Sequence, residues 1–299
     1  MAVNRIQLAV VLTIAGTAGS GCARPEPAPT AVRDAPSAAR ASSALTPTVT
    51  DDHVPGSVDD DSKEAEQSSA RVEPLADAGK QVSLEVPGFQ PAVVSVPLAA
   101  RAAHPVAVAF HGNFDRPEWQ CEIFRGVIGP QGFLLCPRGS ARRDVPKQMD
   151  RWEYASGAKM AAELEAGLAA LSERYRSSVD PGPIVFIGFS LGAIYGAALV
   201  QKNAARFPRA VFVEGGHGAW TPASAKKFAA AGGLRLFLAC GQGPCLTKAQ
   251  RTAPLLERAG LPTKTGGSPK AGHTYDGAVA DAVREAWPWM VEGDSRWSG

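Results

Sequence analysis

The chain lacks any strong excess of charge, with 31 lysine and arginine residues against 29 aspartate and glutamate residues and a formal net charge of +2. A nucleic-acid-binding domain usually carries a clear basic excess, so this balance argues against nucleic acid as a partner. No internal repeat is evident, and apolar residues make up 45% of the chain, close to the globular average. These values exclude disorder along the whole chain.

The N-terminal region lacks an apolar run long enough to span a membrane, which needs about 20 residues. The run at residues 6–18 follows Arg5 and ends in small residues. A basic start, a short apolar core and small residues before a cut site are typical of a secretory signal, which we predict over residues 1–21. Gly19-Ser20-Gly21-Cys22 resembles the cleavage box of bacterial lipoproteins. We therefore expect export to the periplasm or cell envelope, with lipidated Cys22 as the membrane anchor. An ordinary secreted protein is the alternative.

Residues 22–78 lack hydrophobic periodicity. Their first part is rich in proline, alanine, serine and threonine, and the acidic runs at residues 51–52 and 59–61 follow. Such a composition has few apolar groups to offset the entropy cost of ordering, so it predicts a solvated linker. Residues 79–299 are left for one folded domain.

Cysteine is scarce, and no Cys-x-x-Cys pair or adjacent histidine spacing indicates a metal site. With Cys22 assigned to a lipid, the remaining cysteines are Cys121, Cys136, Cys240 and Cys245. An even number in an oxidising compartment permits two disulfides with three possible connectivities. We favour the pairs that are close in sequence, Cys121 with Cys136 and Cys240 with Cys245.

Short apolar segments alternate with helical patterns through the predicted domain. The predicted strands are residues 82–86, 93–96, 105–110, 132–137, 184–187, 210–213 and 234–239. The predicted helices are residues 160–175, 191–203 and 278–291. Continuous apolar strands separated by helices are typical of a mostly parallel central sheet with helices on both faces, which is an α/β fold.

The segment Gly188-Phe189-Ser190-Leu191-Gly192 is a G-x-S-x-G motif. It directly follows one predicted strand and directly precedes a predicted helix, which is the strand–turn–helix context of a nucleophile elbow. The helix N-terminus would place backbone N–H groups near developing negative charge. We predict Ser190 as a nucleophile, and a phosphate-binding or merely tight turn is the alternative.

Three segments in chain order carry a family resemblance: His111-Gly112, the motif around Ser190, and Gly272-His273. Together they resemble the α/β-hydrolases of the esterase and dienelactone-hydrolase-like kind, over about residues 81–292. The resemblance implies a serine nucleophile, an ester substrate and neither cofactor nor metal. Residues 215–233 leave room for one helix, so no cap domain is expected.

The resemblance also implies the general base, which follows the serine along the chain. Only two histidines do so, His217 and His273. His273 lies on a glycine-rich loop before the last predicted helix, and we predict it as the base. His217 comes too early and is expected at the pocket rim, while His111 precedes the serine and is expected to support its loop.

The oxyanion donors are expected at two places. The first is the backbone N–H of Leu191, directly after the nucleophile. The second is in the loop after the strand at 105–110, where we favour the backbone N–H of Asn113 with Gly112 as the alternative.

The acid of the triad is the departure from the family pattern. In most members it follows the strand that we predict at residues 234–239, but residues 240–245 contain no carboxylate. Glu214 ends the preceding strand, and neighbouring parallel strands lie about 5 Å apart, so its side chain can reach the same histidine. An orienting carboxylate requires no fixed sequence position. We assign Glu214, with Asp276 as the alternative.

These features predict an exported serine hydrolase that cleaves small carboxylic esters through an acyl-enzyme, as a monomer held at a membrane by Cys22. The alternatives are a non-catalytic surface binding protein of the same fold, and a hydrolase of amides or polysaccharide-linked acyl groups. Aromatic residues in loops could line the site mouth, although each is expected to serve in packing. They are Trp119, Trp152, Tyr154 and Trp220.

Overall fold

The computed structural model describes residues 75–298. The predicted signal, the lipidation site Cys22 and the predicted linker up to residue 74 lie outside the described residues. Within the described part, every helix is too short or too polar to cross a bilayer.

Short apolar segments build the centre of this part, where eight strands form one sheet in the order β1-β2-β4-β3-β7-β8-β9-β10. The strands of the described residues are β1 (Gln81–Leu84), β2 (Ala92–Ser95), β3 (Val106–Phe110), β4 (Phe133–Cys136), β5 (Ser140–Ala141), β6 (Trp152–Glu153), β7 (Val185–Phe189), β8 (Arg209–Val213), β9 (Arg235–Cys240) and β10 (Thr263–Gly267). Across the sheet, from β4 through β3, β7, β8 and β9 to β10, every pairing of neighbouring strands is parallel. β2 runs antiparallel to both of its neighbours, β1 and β4. β5 and β6 form a separate small hairpin.

Helices cover both faces of the sheet. They are α1 (Pro117–Ile128), α2 (Gly157–Tyr175), α3 (Leu191–Lys202), α4 (Pro222–Ala230), α5 (Gly243–Arg258) and α6 (Ala278–Val291). Side chains alternate along β3, so that Val108 and Phe110 join one apolar cluster while Ala109 joins the other. The first cluster includes residues of α2, α3, α4 and α5, and the second includes residues of α1 and α6. The predicted α/β class with a mostly parallel, doubly covered sheet is confirmed.

The carboxyl ends of the central strands line up across the sheet. Gly188 of β7 pairs with Phe110 of β3, Phe189 of β7 with Val213 of β8, and Cys240 of β9 with Gly267 of β10. Each residue that directly follows a strand therefore emerges at the same edge. This register brings segments that are 20 to 80 positions apart together, in the arrangement that parallel α/β sheets use for their sites.

Several elements lack a strong sequence signal. The helices α1 and α5 and the strand β10 were not predicted. β10 has the sequence Thr-Lys-Thr-Gly-Gly, which carries no apolar run, and it joins the sheet through its pairing with β9. Between β8 and β9 the structure has a single-turn helix and α4, consistent with the limited room expected there.

Both sequence-local cysteine pairs are disulfide-bonded. Cys121 of α1 joins Cys136 at the end of β4, with 5.9 Å between their Cα atoms. Cys240 at the end of β9 joins Cys245 in the first turn of α5, with a Cα separation of 5.6 Å. The second disulfide therefore closes the loop at the sheet edge where the predicted site residues emerge.

Candidate active site

Ser190 lies at the turn between β7 and α3 in a strained backbone conformation. Its φ of 48° is unfavourable for a residue with a Cβ atom, and such strain concentrates at functional sites. The backbone continues the sheet at this point, because the Ser190 N–H donates to the Val213 carbonyl at 2.9 Å. Two residues later, a Cβ on Gly192 would overlap the Phe110 carbonyl oxygen, so only glycine lets α3 start this close to β3.

His273 lies on the loop between β10 and α6 and reaches back to the serine. The Ser190 hydroxyl is 2.8 Å from His273 Nε2. The imidazole packs against the Phe189 ring, with 5.0 Å between the centroids. The His273 side chain is 47% exposed, so the imidazole is accessible from solvent.

Glu214 follows β8 directly, and its carboxylate contacts the other side of the imidazole. Its backbone is also strained, with a φ of 53°, and its N–H donates to the Ala239 carbonyl at 2.9 Å. The carboxylate is only 2% exposed, and its Oε2 lies 3.1 Å from His273 Nδ1. Because a carboxylate only accepts hydrogen bonds, it holds the proton on Nδ1 and leaves the Nε2 lone pair for the serine hydroxyl.

The loop after β9 binds the carboxylate of Glu214. The backbone N–H groups of Gly241 and Gln242 both donate to Glu214 Oε1, the second at 2.8 Å. The same loop accepts a hydrogen bond from the Gly272 N–H at 2.8 Å, and a Cβ on Gly241 would overlap the Gly272 carbonyl oxygen. Thus the loop after β9, which carries the acid itself in most members of the resembled family, here binds the carboxylate of Glu214 through its backbone N–H groups. Sequence reasoning missed these donors because backbone N–H groups leave no side-chain signal.

The two expected oxyanion donors flank Ser190. Among the described residues, the backbone N–H groups of Asn113 and Leu191 have no hydrogen-bond acceptor, whereas that of Gly112 points to the Asp115 carboxylate at 3.4 Å. A Cβ on Gly112 would be 3.2 Å from the Ser190 Cβ, so this loop lies directly against the nucleophile. The Asn113 N–H is therefore available to a ligand, and its role as the second donor stays a prediction.

The remaining candidate residues lie apart from the serine–histidine pair. His111 is fully buried, and its two ring nitrogens lie 2.7 and 2.8 Å from the carbonyl oxygens of Gly112 and Arg138. Burial lowers the pKa of the His111 imidazole, while the two carbonyl contacts act in the opposite direction. His217 is buried with Nδ1 3.1 Å from the Gly215 carbonyl, and Asp276 accepts from the next backbone N–H in its own loop.

One cluster has the composition of a metal site. Ring and sulfur atoms of His217, Cys240 and Cys245 lie within 4.8 Å of one another. A metal ion would need the two sulfurs as thiolates, but they are joined in the disulfide. In the described part of the chain, this cluster does not fit a metal.

Neither a protein-family model nor a curated protein sequence matches the chain. Among solved structures, a ferulic acid esterase matches with a TM-score of 0.50 and 11% identity, over 71% of this chain and 97% of that one. An uncharacterized protein from Bacillus cereus ATCC 10987 matches with a TM-score of 0.51 and 15% identity, over 64% and 60% of the two chains. An S-formylglutathione hydrolase from Agrobacterium tumefaciens has a TM-score of 0.48 at 17% identity, over 73% and 96%.

Identities this low establish architecture and leave the chemistry open. The strand order, the turn at Ser190 and the two matches with TM-scores of 0.50 and 0.51 agree on one architecture. The chain has the α/β-hydrolase fold.

Proposed function

We propose that the protein is a serine hydrolase that cleaves carboxylic esters. The observation that carries this proposal is the continuous chain of contacts from Ser190 Oγ through the His273 imidazole to the Glu214 carboxylate, at 2.8 and 3.1 Å. Those are the distances that an activated serine nucleophile requires. The strained backbone at Ser190 and Glu214 adds support, because such strain concentrates at functional sites.

The proposed reaction proceeds in two halves. Ser190 Oγ attacks the ester carbonyl carbon while His273 Nε2 takes the hydroxyl proton, and the backbone N–H groups of Asn113 and Leu191 stabilise the resulting oxyanion. His273 then gives the proton to the departing alcohol, which leaves an acyl group on Ser190. Water attacks that acyl-enzyme with His273 again as base, and the carboxylic acid is released. Glu214 holds the imidazole in the productive tautomer and stabilises its charged form throughout.

We also propose the cellular setting that the N-terminal sequence suggests. The protein would be exported, anchored through lipidated Cys22, and would act as a monomer on a small-molecule ester in the periplasm or cell envelope. The two disulfides support an oxidising compartment. The variant Cys22→Ala should move the protein from the membrane fraction to the soluble fraction. A wild-type protein that is already soluble would refute the anchor.

A fluorophosphonate probe tests the chemistry, because it reacts with activated serines and needs no knowledge of the substrate. We expect the wild type to be labelled and Ser190→Ala to be unlabelled. Ser172→Ala, at an exposed serine of α2, is the matched control and should label like the wild type. A folded wild-type protein that takes no label would overturn the proposal.

A substrate panel then separates ester cleavage from related activities. Short-chain aryl esters should be turned over faster than the corresponding anilides, because an alcohol leaves from the tetrahedral intermediate more readily than an amine. Faster cleavage of the anilides would replace the ester assignment with an amidase, while serine labelling would still identify a hydrolase.

A further inference from the structure

A cavity of about 600 Å³ opens beside the exposed edge of His273. One wall comes from the loop after β3 and the start of α1, with Phe114 and Trp119, and the other from the His273 loop with Tyr275. Phe189, the residue before the proposed nucleophile, also lines it. The cavity therefore starts at His273 and at Phe189, the residue before Ser190, and extends away from them between aromatic side chains.

Two of these rings are held open to solvent. Trp119 is 45% and Phe114 is 42% exposed, which places both among the few large apolar side chains that the described residues leave exposed. A water-exposed apolar cluster beside a reactive centre is typical of a ligand-binding surface. Tyr154 and Trp220 are buried, as expected for packing residues. Trp119 lies in α1 and leaves much of its ring exposed, which differs from the expected packing role.

Guanidinium groups fix the orientation of the exposed rings. The Arg151 guanidinium carbon lies 4.7 Å from the Trp119 ring centroid and 5.3 Å from that of Phe114, and Arg116 lies 5.3 Å from the Trp119 centroid. Cation–π contacts at these distances stabilise one ring orientation. The rings thus form a preorganised wall, and a ligand would lose little binding energy in ordering them.

The inner wall is fixed by a buried hydrogen bond. The Tyr275 hydroxyl donates to the buried Asp115 carboxylate at 3.1 Å, and burial together with Asp115 raises the pKa of Tyr275. The Tyr275 ring packs edge-on against Phe189, with centroids 4.8 Å apart. The Tyr275 and Phe189 rings are therefore held in one mutual arrangement beside the cavity, and aromatic ligands can pair with such rings.

The charges around the cavity are of both signs and favour an uncharged ligand. Its lining includes the carboxylates of Asp115, Glu122 and Asp276, and the guanidinium groups of Arg116 and Arg151 lie over the exposed rings. A charged ligand of either sign would therefore face groups of its own charge. The positive edge of an aromatic ring, in contrast, is compatible with the carboxylates.

We infer that this cavity binds an uncharged aromatic group of the ester, next to the bond that is cleaved. The inference rests on the proposed ester hydrolysis and adds the substrate class to it. Aromatic pairs contribute about two- to tenfold each in affinity beyond the area they bury, so contacts with Trp119 and Phe114 should give aromatic esters an advantage of about fourfold or more.

Two matched ester pairs test the inference, one for each side of the scissile bond. Methyl 3-phenylpropanoate is compared with methyl hexanoate, and benzyl acetate with pentyl acetate. We expect kcat/KM to favour the phenyl ester by at least about fourfold in one pair, which also identifies the side that enters the cavity. In Trp119→Ala this ratio should fall at least about twofold. Leu234→Ala removes a similarly exposed apolar side chain at the opposite end of β9 and should keep the wild-type ratio.

Direct binding separates failure of this inference from failure of the proposed function. Ser190→Ala protein is titrated by NMR with both intact ester pairs, and binding is compared with that of the variant that also carries Trp119→Ala. Tighter binding of a phenyl ester that depends on Trp119 would support the cavity assignment even if no turnover is found. Equal affinities within both pairs, or a preference that Trp119→Ala leaves intact, would overturn it whether or not Ser190 is labelled.

Discussion

Replacing Glu214 by glutamine changes one carboxylate oxygen to an amide nitrogen while keeping the shape of the side chain. In the wild type, Oε1 accepts from two backbone N–H groups and Oε2 accepts from His273 Nδ1. A glutamine has one acceptor oxygen, so it can serve only one of these two sets of donors. If the oxygen stays with the backbone N–H groups, the amide NH₂ faces Nδ1. The imidazole proton must then move to Nε2, where it blocks proton transfer from Ser190.

The structure sets the size of the effect. The productive tautomer requires the glutamine to flip, which leaves the N–H groups of Gly241 and Gln242 facing another donor. Each buried donor left without an acceptor costs about 1–3 kcal/mol, so the flipped state is about 2–6 kcal/mol less stable. At about 1.4 kcal/mol for each tenfold change, only about 1 molecule in 30 to 1 in 10⁴ holds the productive tautomer. We expect kcat to fall by that factor.

The assay is kcat for an activated ester, with folding checked by the thermal midpoint. Asp276→Asn is the matched control, because the Asp276 carboxylate accepts a hydrogen bond within its own loop, from the Gly277 N–H at 2.6 Å. It should keep kcat within about twofold of the wild type, a bound that follows from the absence of any unpaired buried donor. A Glu214→Gln enzyme with wild-type kcat, or a large loss in Asp276→Asn alone, would refute the reasoning and move the acid to Asp276.

Three further predictions follow from the same geometry. Gly192→Ala should lower both kcat and the thermal midpoint, because its methyl group would overlap the β3 carbonyl, and Gly218→Ala should change neither, because open space surrounds that position. Equal effects of the two substitutions would contradict the close approach at the turn. Converting Cys240 and Cys245 to serine should lower kcat several-fold more than converting Cys121 and Cys136 to serine. The reason is that the Cys240–Cys245 disulfide closes the loop that binds the Glu214 carboxylate. Equal kcat in the two double variants would show that this loop holds its shape unaided. Burial lowers the pKa of His111, so below about pH 6.5 the unfolded chain binds a proton that the folded chain does not bind. The free energy of unfolding from urea titrations should therefore decrease on acidification from pH 7.5 to 5.5, by at most about 1.4 kcal/mol per pH unit from this group. An increase in the free energy of unfolding would contradict the prediction.

Local patterns in the sequence were sufficient for the class of the fold and for the turn that carries Ser190. The buried strands read as continuous apolar runs because both faces of the sheet are covered, and the G-x-S-x-G segment lies between one such run and a helix. The strand β10 escaped the same reasoning, because it has no apolar pattern and depends on its neighbour for its conformation.

The sequence also narrowed the histidine and the acid to a few residues, through chain order and the ends of strands. What it could not decide is which carboxylate meets the imidazole, because Glu214 and His273 are 59 positions apart and only the parallel register of β8, β9 and β10 brings them together. The backbone donors that hold Glu214 and the aromatic wall beside His273 depend on the tertiary structure alone. Both are built from chain segments that share no local pattern, and their contacts form only once the strand ends are aligned at one edge of the sheet.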